Sequence, residues 1–143
     1  MKILFLDVDG VLNNKTVLSE KGLFGICDNM LELLSQIIKE TNAKIVLSST
    51  WRLYPKAIEE LKFKFHPMKL EIFDQTIEIK PKKLSLLVER KEEINEWLER
   101  NEVDNFAILD DDPDAEIKGH FFKTNFETGL TQQITNEVIN HFK

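Results

Sequence analysis

The chain lacks most of what marks a secreted or membrane protein. It has one cysteine, Cys27, so no internal disulfide can form and a reducing cytoplasm fits. Cys27 reads as a small core residue. Apolar runs such as ILFL and FAIL extend over a few residues only, against the roughly 20 that a membrane helix needs, so no membrane role is expected. A lysine precedes the first run, but aspartates follow at once and no small-residue cleavage site appears. That start reads as a core strand rather than a signal peptide. Positive charge is also short: the net charge of −6 argues against a general nucleic-acid coat. Repeats, low-complexity segments and linkers are missing. The three histidines, His66, His120 and His141, have no metal-ligand spacing and read as structural.

What is present suits one globular domain over residues 1–143. The 143 residues can bury a single core, and 42% hydrophobic with 31% charged residues is ordinary for such a fold. Charge is unevenly spread. Residues 52–91 carry ten Lys/Arg against six Asp/Glu, and residues 92–143 carry four against thirteen. Such a run is usually a solvated face.

Residues 2–6 are a continuous apolar run, which predicts a strand buried on both faces. Leu31, Leu34, Ile37 and Ile38 predict a helix over 28–40 with Asp28 as N-cap. AKIVLSS (43–49) predicts a second strand. Pro55 opens a helix to about residue 64. Residues 66–83 read as irregular between Pro67 and Pro81, with a short strand near LEIF. A helix over 90–100 puts Ile94, Trp97 and Leu98 on one face, with Trp97 in the core. NFAIL (105–109) and GHFFKT (119–124) predict two more strands, and the Phe-rich HFFKTNF reads as strand core. Thr131 caps a last helix that buries Ile134, Val138 and Phe142. Alternating buried strands and helices predict an α/β fold: a Rossmann-like three-layer sandwich with a mainly parallel sheet and helices on both faces. Ligands bind such sheets outside the carboxyl ends of the strands.

Three strands end in polar residues. The first runs into Asp7-Val8-Asp9-Gly10, the second into Ser48-Ser49, the third into Asp110-Asp111-Asp112. A parallel sheet brings these ends to one edge. Carboxylates crowded together repel, and a divalent cation relieves this; an oxygen-rich site suits Mg²⁺. Asp7 and Asp9 then have two roles open to them, a nucleophile beside the metal and a general acid at the leaving group. Gly10 allows a sharp backbone turn there. Read merely as turn and cap residues, Asp7 and Asp9 would leave the serine pair and the aspartate triplet unexplained.

These residues carry a resemblance. FLDVDGVLN resembles the first signature of the haloacid dehalogenase (HAD) superfamily, IVLSS its second and FAILDDDPD its fourth. Arg90 and Lys91 fit the basic third signature, Lys91 lying 19 residues before Asp110. SSTWR, RKEEINEWL and TNFETGLT also resemble the small HAD domains of Swiss Army Knife RNA-repair proteins and their free-standing relatives. The resemblance implies a Mg²⁺-dependent phosphatase. Asp7 would be the nucleophile and Asp9 the general acid and base. The Asp7 side chain, the Asp9 carbonyl and Asp110 would hold the metal, with Asp111 assisting directly or through water. Ser48, or in competition Ser49, would bind the phosphoryl oxygens. Lys91 or Arg90 would neutralise charge.

Arg52 follows the second strand by a few residues and is read as a bidentate phosphate ligand, with a surface ion pair as the alternative. Trp51 reads as core or a cover on the sheet, with base stacking as the alternative. Asp112 reads as a turn residue; Asp114 either orients the basic residue or caps a turn. Residues 13–27 are too short for a folded cap, and residues 53–89 hold a helix and irregular chain only. A capless site suits a large phosphorylated substrate, such as a nucleic-acid end or a phosphoprotein, or closure by an oligomeric partner. Retention of both aspartates argues against a non-catalytic HAD-fold module, and phosphoryl transfer to another acceptor stays open.

Overall fold

The computed structural model describes residues 1–83 and 87–143. Residues 84–86, within the 53–89 stretch expected to hold a helix and irregular chain, lie outside the described residues. The order of elements is β1 (Lys2–Leu6), α1 (Lys15–Lys21), α2 (Asp28–Thr41), β2 (Lys44–Leu47), α3 (Pro55–Phe65), β3 (Ile72–Gln75), α4 (Arg90–Glu99), β4 (Asn105–Asp110), β5 (Phe121–Lys123) and α5 (Gln132–His141). The strands form one five-stranded sheet in the order β3-β2-β1-β4-β5. Every pairing in it is parallel. This is the α/β Rossmann-like sandwich, and no separate cap domain stands over it among the described residues.

Period-two alternation divides the core. Leu4 and Leu6 of β1 join Ile45, Leu47, Ala107 and Leu109 in the layer containing Leu31, Leu34 and Ile37 of α2 and Val138 of α5. Ile3 and Phe5 point the other way, with Val46, Ile108 and the α4 residues Ile94 and Trp97. The Phe5 and Trp97 rings meet edge to face at 5.5 Å. All these side chains are fully or almost fully buried, so β1 reads as an unbroken apolar run because both of its faces are covered.

Several boundaries differ from the sequence reading. Cys27, not Asp28, is the N-cap of α2; Asp28 is its first residue, where an acidic side chain favours the helix dipole. The second strand stops at Leu47; Ser48 N still bonds the Leu6 carbonyl, but the chain then turns and the Ser49 hydroxyl caps a 3₁₀ turn over Thr50–Leu53. α1 is new. None of its residues is buried, so it has no apolar stripe to read; the Asn14 side chain caps its start and Gly22, at φ 87°, ends it. Thr131 caps α5 as expected. His120 and His141 are structural: both rings contact the Phe106 carbonyl at 2.8 Å, and His120 stacks on the Phe106 ring. Among the described residues no helix is long and apolar enough to cross a membrane.

Candidate active site

Parity of the strands sets the site. Asp7 lies two residues beyond Phe5, Ser48 two beyond Val46 and Asp110 two beyond Ile108, so all three leave the sheet on the α4 face. Register aligns them: Leu6 pairs with Leu47 and with Leu109, placing Asp7 next in line between Ser48 and Asp110. Backbone bonds continue the ladder there, from Ser48 N to the Leu6 carbonyl at 3.1 Å and from Asp7 N to the Leu109 carbonyl at 3.0 Å. Asp7, Ser48 and Asp110 are all buried.

Asp7, Asp110 and Asp111 each present a carboxylate oxygen to one cluster, within 4.8 Å of one another. Burial, and the Asp110 carboxylate beside it, hold the Asp7 carboxyl well above the usual carboxylate range, against the opposing pull of Arg90. Burial and Asp110 likewise push Asp111 up. Gly10 admits Asp111. Its φ is +82°, and a Cβ there would stand 2.3 Å from Asp111 Oδ2.

Arg90, the first residue of α4, supplies the cation. Its Nη1 lies 3.1 Å from Asp7 Oδ1 and 2.9 Å from Asp110 Oδ2. Nη2 donates to Thr50 Oγ1 at 3.2 Å. Its guanidinium is partly buried, which alone would lower its pKa, but the Asp7 and Asp110 charges outweigh this and raise it. Lys91, the other candidate for the basic signature, is half exposed and pairs with Glu89 at 3.4 Å, away from the cluster. Asp114 accepts from the Arg90 backbone N at 3.2 Å and so orients the basic residue. Asp112 is a turn residue whose side chain accepts from Asp114 N.

The serines divide. Ser49 Oγ is engaged by Trp51 N at 3.1 Å. Ser48 Oγ is buried and has no hydrogen-bond partner among the described residues, which is unusual for a hydroxyl.

Asp9 is exposed and its carboxylate lies outside the acidic cluster. One oxygen, Oδ1, accepts from Asn13 Nδ2 at 2.9 Å and from Trp51 Nε1 at 3.2 Å. Trp51 is otherwise buried, and Phe24 packs edge-on against it at 5.6 Å. Neither Asn13 nor Thr124 stood out in the sequence. Asn13 is fully buried and also ties Gly10 N and the Gly25 carbonyl; Thr124 Oγ1 donates to the Gly10 carbonyl at 2.6 Å. Their one signal was polarity beside buried apolar residues.

The phosphate-binding role expected of Arg52 is overturned, and so is the surface ion pair. Arg52 is buried and its N–H groups are spent on the protein. Nε donates to the Thr76 carbonyl, Nη1 to Ser48 and Ser49, and Nη2 to Ile77, while Nη2 also pairs with Glu93 at 3.1 Å. A guanidinium has five N–H donors, so none is left for phosphate.

No curated protein and no solved structure matches the chain. The family described as the HAD domain in Swiss Army Knife RNA repair proteins matches residues 3–134. That span includes all the strand-end aspartates, both serines and Arg90, and with the parallel sheet it makes this chain a member of that HAD family.

Proposed function

We propose that the chain is a Mg²⁺-dependent phosphatase that hydrolyses a phosphomonoester through an aspartyl-phosphate on Asp7, and that it acts on nucleic-acid ends. The observation that carries this is the row of Asp7, Ser48 and Asp110 under Arg90, with the Ser48 hydroxyl unpartnered among the described residues. The donor set fits the metal: three carboxylates converge while the one guanidinium touching them pairs with two. Asp7, Asp110 and Asp111 would hold it. Bound there, Mg²⁺ would neutralise charge on the phosphoryl oxygens and on the carboxylates.

The chain's own residues then do the chemistry. Asp7 attacks phosphorus, and the P–O bond to the leaving group breaks. Asp9 gives its proton to the departing oxygen. Arg90 and Ser48 hold the phosphoryl oxygens, since phosphoryl transfer depends mainly on positioning and charge. Asp9 next takes a proton from water as that water attacks the phosphorus. The bond from phosphorus to Asp7 breaks, its electron pair returns to the carboxylate, and inorganic phosphate leaves.

Nucleic-acid ends are favoured because the matching family is described by RNA repair, and because the exposed Asp9 leaves room for a large leaving group. The test is phosphate release in Mg²⁺ from 5′- and 3′-phosphorylated RNA and DNA oligonucleotides, mononucleotides, sugar phosphates and a phosphopeptide. The oligonucleotides should be hydrolysed with the highest kcat/KM. Preference for a sugar phosphate or the phosphopeptide would overturn the substrate class. No release from any of them would favour a binding module.

A further inference from the structure

We infer that Trp51, together with Asn13, is a positioning residue for leaving-group protonation, on which phosphomonoesters of poor, alkoxide-type leaving groups such as a ribose hydroxyl depend. The inference rests on the phosphatase reading above, in which Asp9 carries the proton.

Asp9 stands on the exposed side of the site, where a carboxylate would ordinarily rotate freely. Here Oδ1 is held by two donors from different parts of the chain, Asn13 Nδ2 at 2.9 Å and Trp51 Nε1 at 3.2 Å. An indole N–H only donates, and an amide NH₂ only donates, so Oδ1 must be the accepting oxygen. Neither donor occupies Oδ2, so the carboxyl is held with that oxygen available to a leaving group.

Both donors are themselves fixed. Trp51 is buried, its backbone N is bonded to Ser49 Oγ, and Phe24 packs against its ring. Asn13 is fully buried and is locked by Gly10 N and the Gly25 carbonyl. The two contacts satisfy the buried Trp51 and Asn13 donors and at the same time fix the orientation of a carboxylate that water alone would leave free to turn. They matter to a reaction in which the departing oxygen must receive a proton. An alkoxide needs one; a nitrophenolate departs without it.

The test compares wild type with Trp51→Phe on a 3′-phosphorylated oligonucleotide and on p-nitrophenyl phosphate. Phe keeps an aromatic side chain at that position but removes the donor. We expect kcat/KM on the oligonucleotide, which reports the step that expels the leaving group, to fall about 10- to 100-fold, part of what a general acid contributes. On p-nitrophenyl phosphate kcat/KM should change by less than about threefold, because leaving-group protonation is not required in that step. Equal loss on both substrates, or no loss on either, overturns the inference. Asp7→Asn in parallel keeps the two readings distinct: if it retains activity on both substrates, the phosphatase reading fails first. A second readout does not depend on turnover. Among the two indole N–H resonances of the ¹⁵N spectrum, Asp9→Ala should displace that of Trp51 and leave that of Trp97, which is bonded to Asp74, in place. An unmoved Trp51 resonance would contradict the contact.

Discussion

Arg52 and Glu93 form a buried clamp joining the end of β2, the chain at residues 76–77 and α4. Removing the guanidinium strands the Glu93 charge and several carbonyls. Arg52→Met should therefore lower stability by about 3–5 kcal/mol in urea unfolding. Wild-type stability combined with a raised KM would return Arg52 to phosphate binding. Gly10→Ala is a sharper probe of Asp111. It places a Cβ on that carboxylate in a left-handed backbone, so Mg²⁺ affinity by calorimetry should weaken about 10- to 100-fold. Unchanged affinity would mean that Asp111 is not a ligand. At this scale the sequence was legible in placement: Asp7 and Asp110 were expected to meet at one sheet edge and do so with Asp111, while Asp9 stands outside that cluster. It could not separate Ser48 from Ser49 or Arg90 from Lys91. In each pair the two side chains part in direction: parity along β2 separates the serines, and rotation about α4 separates Arg90 from Lys91. The role of Arg52 was hidden because its partners at 76–77 and 93 are distant in sequence.

α4 is the element on which the site depends. Its first residue is Arg90, and its N-terminus is fixed by reciprocal bonds between Glu89 and Glu92 and by Asp114 on the Arg90 backbone. Glu89→Ala should fray that first turn. The expected cost is about 1 kcal/mol in thermal unfolding, with a fall in kcat because Arg90 loses its fixed start; an unchanged kcat would show that the tertiary ion pairs alone hold Arg90. The strands and the long helices were readable because burial on two faces, or on one stripe, leaves a periodic trace. α1 left none, being stabilised by Asn14 and Gly22 rather than by a buried face. The ends of β2 and β5 were read too long, since polar residues just past a ladder share the propensities of those inside it.

The whole molecule gathers like charge at one sheet edge, and this links its stability to pH and metal. The Asp7 and Asp111 carboxyls are raised above their ordinary values in the folded state, so the native protein binds more protons than the unfolded chain. Their stabilising contribution is full below the ordinary carboxylate value of about 4 and is lost as pH rises through the raised folded values. Mg²⁺ bound there, as proposed, would need these groups ionised and would offset that loss. The gap in Tm between Mg²⁺ and EDTA should therefore be small at acidic pH and widen towards mildly alkaline pH. A gap that does not change with pH would argue against metal at these carboxylates. In the absence of metal, Asp7→Asn should be at least as stable as wild type, because it removes a buried charge.

That variant also gives the most direct measurement: phosphate release from a phosphorylated oligonucleotide by wild type and by folded Asp7→Asn, each with Mg²⁺ and with EDTA. Release by wild type in Mg²⁺ alone, and none in the other three conditions, is the predicted result. Release that survives in Asp7→Asn would contradict Asp7 as the nucleophile.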